Sequence, residues 1–104
     1  MTRRRLSPGL MRADTLRAIA AAAKREAETL GLANAAQLAD DAETAAFNAR
    51  SGYEAAQMVD TGGSSQSWAL RRHGADWQRK GRRWLDQARA EIEAAKRAKS
   101  EETE

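Results

Sequence analysis

Alanine occupies 24 of the 104 positions and falls largely in helix-spaced runs. It is the strongest helix former and the smallest side chain with a Cβ, so a chain built on it becomes helical with little large apolar surface to bury. Large apolar residues are few: two Ile, one Val, one Phe and three Trp accompany a modest set of leucines. Each contributes only about 1.5–3 kcal/mol on full burial, against roughly 1–2 kcal/mol per residue of backbone entropy. The expectation is one mainly α domain with a thin core, ordered in good part by association.

Helix periodicity divides the chain in three. Leu16, Ile19, Ala20, Ala23, Ala27 and Leu30 form one stripe, which predicts a helix over 14–30 with Asp14 as its cap and Gly31 as its left-handed terminator. Leu38, Ala42, Ala45, Ala49, Tyr53 and Ala56 predict a second over 34–59, capped by Asn34 and weakened at Ser51-Gly52. Phe47 and Met58 lie off that stripe. Residues 60–67, with two glycines and three serines, read as a flexible joint. The alternation Ser67-Trp68-Ala69-Leu70 allows a short strand or hairpin near 65–74. Trp77, Gly81, Trp84, Leu85, Ala88, Ile92 and Ala95 keep near-heptad spacing and predict a third helix over 75–98. Gly81 falls on the face of both neighbouring tryptophans, where it admits a close backbone. The domain thus spans 11–99, flanked by a basic arm at 1–10, flexible unless bound, and an acidic tail at 100–104.

Charge lies in blocks. Residues 1–25 hold seven basic groups against Asp14, residues 26–70 hold Arg50 against seven acids, and residues 71–99 hold ten basic groups against four acids. Such a chain can pair head to tail with its own copies, although solvated helix faces give the same pattern. There is no cysteine, hence no disulfide or thiolate site, and no apolar run approaches the ~20 residues that span a bilayer. The arginines at the start are not followed by an apolar stretch, which argues against a secretory signal.

No constellation points to catalysis or to a cofactor. His73 has Asp76 as its single metal-spaced neighbour, short of the three or four ligands a metal needs. Asp40, Asp41 and Glu43 read better as a solvated acidic face than as paired catalytic carboxylates. Gly62-Gly63 lacks the Lys-Ser/Thr of a phosphate loop.

The segment from Trp68 to Trp84 carries all three tryptophans and six of the eighteen basic residues. Three readings compete for it. Trp77 and Trp84 suit core packing, and with Gly81 between them they are also candidate partner-binding residues. Trp68, Arg71 and Arg72, beside the joint, suit a protein interface, since Trp and Arg dominate interface energetics. The acidic Asp40, Asp41 and Glu43 of an adjacent copy would receive those arginines. Arg79, Lys80, Arg82 and Arg83, with Arg3, Arg4 and Arg5 of the arm, suit phosphates, with the indoles stacking on bases. Salt dependence separates the last two readings.

Gly62-Gly63-Ser64-Ser65-Gln66-Ser67-Trp68 followed by Arg71-Arg72 and the Trp84–Ala95 helix resembles small head–tail connector, or head-completion, proteins of tailed bacteriophages and related gene-transfer particles. Leu38-Ala39-Asp40-Asp41 leading into Ala45, Ala46 and Ala49 is similar to the first helix of other connectors. The long first helix and the arm depart from that pattern. The resemblance implies a non-enzymatic structural subunit in the virion neck, assembled in the bacterial cytoplasm. It would form a ring by head-to-tail contacts and bind a portal or tail component, without cofactor or membrane. The alternative is a small basic nucleic-acid-binding or DNA-packaging accessory protein.

Overall fold

The computed structural model describes residues 7–59 and 65–102. Three helices make up the fold: α1 (Pro8–Thr29), α2 (Ala33–Met58) and α3 (Ser65–Glu102). Helix α3, at 38 residues, rises about 57 Å at 1.5 Å per residue. It sets the long dimension of a molecule measuring 61 × 28 × 15 Å.

Helix α1 begins six residues before the expected start. The Ser7 hydroxyl accepts from the Leu10 amide at 3.2 Å, and Pro8 sits in the first turn, where its missing N–H costs nothing. Gly9 and Leu10 are buried. The end of the expected arm therefore belongs to the helix, while residues 1–6 lie outside the described residues. Asp14 is not a cap. It stands in the second turn and accepts from Arg50 of α2 at 3.0 Å.

At its other end α1 closes as expected. Gly31 has φ +72°. The Leu32 amide reaches the Ala27 carbonyl at 2.9 Å and the Gly31 amide the Glu28 carbonyl at 3.1 Å, the paired bonds of a Schellman motif. Leu32 then serves as the N-cap of α2 without a side-chain bond. Asn34, expected there, instead donates across to Glu91 of α3 at 2.5 Å.

Residues 65–74 are helical, so the strand or hairpin option is not realised and α3 starts ten residues before the expected position 75. Ser67, Leu70, Gly74, Trp77 and Gly81 recur at 3–4 spacing and lay one face of α3 on α2. Ser67 is fully buried, with its hydroxyl 3.4 Å from the Ala56 carbonyl. The serines at 65 and 67 thus extend the helix, and residues 60–64 of the expected joint lie outside the described residues. Glu101 and Glu102 of the expected tail also belong to α3.

Helix α2 runs antiparallel to α1 and α3 and lies against both. Its alanines at 35, 39, 42, 45, 46 and 49 are buried. Around them gathers the main core of Leu16, Ala20, Ala23, Ala27, Leu85, Ala88 and Ile92, and a smaller cluster of Leu10, Ala13, Ala49 and Tyr53 closes the other end. Side chains this small bring backbones together. A Cβ placed on Gly52 would lie 3.1 Å from the amide nitrogen of Gly74, so α2 and α3 cross there glycine on glycine. The expected weak point of α2 is instead a contact point of a continuous helix.

Polar links tie the helices at their edges. Lys24 reaches Asp40 at 2.8 Å, Arg50 reaches Asp14, Lys96 pairs with Glu26, and Gln78 donates to the Arg12 carbonyl at 3.1 Å. Hydrogen bonds to Asp40 and Glu26 raise the pKa of Lys24 and Lys96 above the usual lysine value. A hydrogen bond to Glu54, aided by Asp14, does the same for Arg50.

Candidate functional site

The three tryptophans of α3 have different surroundings. Trp84 is half-buried against the main core, and Trp77 is half-buried against the Tyr53 cluster. The Trp77 indole donates to His73 Nε2 at 3.1 Å, and the Lys80 ammonium sits 4.9 Å from its ring centre. His73 thus orients the Trp77 indole from the surface. Gly81 is buried. A Cβ there would come within 2.8 Å of Leu16 Cδ2 and 3.1 Å of Ala45 Cβ. These three expected partner-binding residues therefore face their own subunit.

Trp68 differs. It lies one turn into α3, next to buried Ser67 but about 100° round the helix from it, and it is 61% exposed. The Arg72 guanidinium is 5.4 Å from its ring centre, a cation–π pair one turn apart. Arg71 is exposed at the next position and lines a cleft with Tyr53, Gln57 and Pro8. Met58, at the end of α2 on the same end of the molecule, is 85% exposed.

Beyond Trp68 the outward side of α3 carries Arg72, Arg79 and Arg83, with Lys80 and Arg82 at its edges, all exposed. Arg79 pairs with Asp76 one turn back. The expected arm residues Arg3, Arg4 and Arg5 lie outside the described residues.

The acidic run of α2 is largely occupied within the subunit. Asp40 holds Lys24, and Asp41 accepts from Gln37 at 3.0 Å. Glu43 makes no ion pair among the described residues and stands beside Phe47, which is 54% exposed under the guanidinium of Arg17 at 5.9 Å.

Two surface features escaped the sequence. One is this Phe47–Arg17 pair, joining α1 and α2. The other is an open groove between α1 and α3, with Met11 and Ile19 on its lip. Ile19 falls on the α1 stripe by spacing, but at the edge that α3 does not cover. Among the described residues no group of three His, Asp or Glu is placed to hold a metal ion, and no helix is long and apolar enough to cross a membrane.

No protein-family model matches the chain, and no curated protein and no solved structure is significantly similar to it.

Proposed function

We propose that this chain is a non-enzymatic assembly subunit that docks onto other proteins through the end of the molecule carrying Trp68. The observation that carries this reading is the indole itself. It is the largest side chain type, it is 61% exposed, and its own guanidinium cover comes from Arg72. An exposed Trp beside Arg71, Arg72 and Met58 matches the chemistry of an interface anchor: wide apolar area with multidentate donors at its edge.

The finer form of the proposal follows the resemblance to virion head–tail connectors. In it, copies of the chain close into a ring and meet a portal or tail component in the virion neck. Of the acids expected to receive Arg71 and Arg72 from a neighbouring copy, Glu43 is the best candidate, because Asp40 and Asp41 already have partners within the subunit.

The exposed row of Arg72, Arg79 and Arg83 supports a second reading, nucleic-acid binding along α3. Phosphate contacts release counterions, so affinity would fall steeply and log-linearly with salt. Docking through an indole would depend on salt far less.

The test is Trp68→Ala, followed by light scattering for assembly and circular dichroism for helix content. Assembly should weaken by about 2 kcal/mol or more, the size of an interface hot spot, with helicity unchanged. Unchanged assembly, or helix lost together with it, would refute the reading.

A further inference from the structure

We infer that the groove between α1 and α3 is a docking site for an acidic amphipathic helix of a partner protein. This goes beyond the assembly reading and does not depend on Trp68, which lies ten positions before the first α3 residue of the groove, about 15 Å along the axis.

The groove follows from the packing. Helices α1 and α3 both lie on the alanine face of α2 but touch each other little, through contacts such as that of Leu16 with Gly81. Between them runs an open trough. On α1 it is bordered by Met11, Thr15, Ile19, Ala22 and Glu26 at 3–4 spacing, and on α3 by Gln78, Arg82, Leu85, Arg89, Ile92 and Lys96 at the same spacing. From Met11 to Glu26 this extends about 22 Å, or four turns of a helix.

The floor is apolar. Leu16, Ala23, Leu85 and Ile92 are buried beneath it. On the lip Met11 is 56% exposed and Ile19 39% exposed. Two of the chain's few large aliphatic side chains thus stand in water beside an apolar trough, the arrangement a helix-in-groove partner covers with its own apolar ridge.

Charge decides the kind of helix. The half of the groove around Met11 is rimmed by Arg12, Arg82 and Arg89 against the single acid Asp86. None of these three arginine side chains has an ion-pair partner among the described residues. In the other half Glu26 and Glu93 are both matched by Lys96. The unmatched charge is therefore positive and concentrated in the Met11 half, with Arg89 bordering both halves, which calls for carboxylates on the flanks of the incoming helix. A second copy packed antiparallel about a two-fold axis would set this half against the half where Glu26 and Glu93 already hold Lys96, so it offers the arginines no free carboxylate.

The probe is a synthetic 18-residue helical peptide with leucines along one stripe and glutamates on both flanks, compared with a twin carrying lysines in their place. Methyl NMR suits the full chain, which has two isoleucines and three methionines. The acidic peptide should shift the Met11 and Ile19 methyls and leave that of Met58 in place. Arg82→Glu combined with Arg89→Glu should weaken its binding about tenfold or more. Ile19→Glu, at an exposed position, should also abolish the Met11 shift while circular dichroism stays the same. Trp68→Ala should leave peptide binding unchanged, so the two interfaces succeed or fail separately. Equal binding of the lysine twin, no shift from either peptide, or a dimer of the free protein that Ile19→Glu dissociates would overturn the inference.

Discussion

Replacing Gly81 by leucine sets helix propensity against space, and the structure says which prevails. Gly81 lies in the middle of α3, where leucine is favoured over glycine by roughly 0.8 kcal/mol. A Cβ at this site, however, would stand 2.8 Å from Leu16 Cδ2, 3.1 Å from Ala45 Cβ and 3.4 Å from the Ala42 carbonyl oxygen. Carbon contacts are comfortable near 3.5–4.0 Å, so the Cβ alone is short by about 0.7 Å or more against Leu16 and about 0.4 Å or more against Ala45. Leu16 can rotate away, but it is 3% exposed and its displacement forfeits burial in the main core. The three further carbons of leucine have α1 on one side and α2 on the other. Overpacking of this kind costs about 1–3 kcal/mol, with up to ~2 kcal/mol more from a displaced Leu16. The net expectation is destabilisation by about 1–3 kcal/mol. Gly81→Ala needs Leu16 to turn aside and α2 to give by a few tenths of an ångström at Ala45, a cost that its gain in helix propensity offsets, so it should fall near neutral. Urea denaturation followed at the helix band gives both values from the shift in midpoint at constant slope. A leucine variant as stable as the parent would show that α3 does not approach α1 and α2 at Gly81.

Two further substitutions test the joints between helices. Gly31→Ala should cost about 1 kcal/mol, because the position has φ +72° and no atom lies within 4 Å of the added methyl, leaving backbone strain as the sole term; Gly31→Asn should recover part of the loss in the same thermal melts. The Lys24–Asp40 and Lys96–Glu26 pairs give a pH signature. Both lysines have folded pKa values raised above 10.5, so their contribution is fully present below that pH and is lost as pH rises through the higher folded values. A Lys24→Met, Lys96→Met double variant should lose less stability than the parent across that alkaline window, and equal losses would show that the pairs do not form.

The fold was readable where a single local force decided it. Glycine alone accepts the left-handed backbone after α1, and Gly31 terminates that helix. The stripe of α2 is buried at Ala42, Ala45, Ala49, Tyr53 and Ala56 as its spacing implies, with Leu38 partly buried at its start. Reading failed where a local preference met a tertiary contact. Asp14 and Asn34 are good caps in isolation, yet each lies within a helix whose end is fixed otherwise, and each bonds a neighbouring helix. Ser67 and Gly74 discourage a helix in water. Against α2 both are buried and small enough to let α3 lie down, and the helix begins at Ser65. Gly52 misled for the same reason, since propensity registers its cost and not the contact it permits.

The legibility of the interaction surfaces has the same physical root. Helices joined through alanine and glycine come so close that the space between them cannot hold many large side chains. Leu10, Leu16, Leu85 and Ile92 are the enclosed large aliphatic residues of the described chain, while Met11, Ile19, Phe47, Met58 and Trp68 all stand at least 39% exposed. In a leucine-built bundle, exposed residues of this size would be scattered remainders of a large core. Here they equal in number the large side chains that the core encloses, Tyr53 included, and most lie beside unmatched cations or on an open trough: Trp68 under Arg72, Phe47 under Arg17, Met11 beside Arg12 and Arg82. Sequence spacing finds such residues only when they fall off a stripe, as Trp68 does. Ile19 falls on one, and its exposure follows from how little α1 and α3 touch, which no pattern within α1 records. A thin core and an apolar, basic surface are thus two consequences of one composition. The close packing that joins the three helices leaves their largest side chains outside, where a partner can use them.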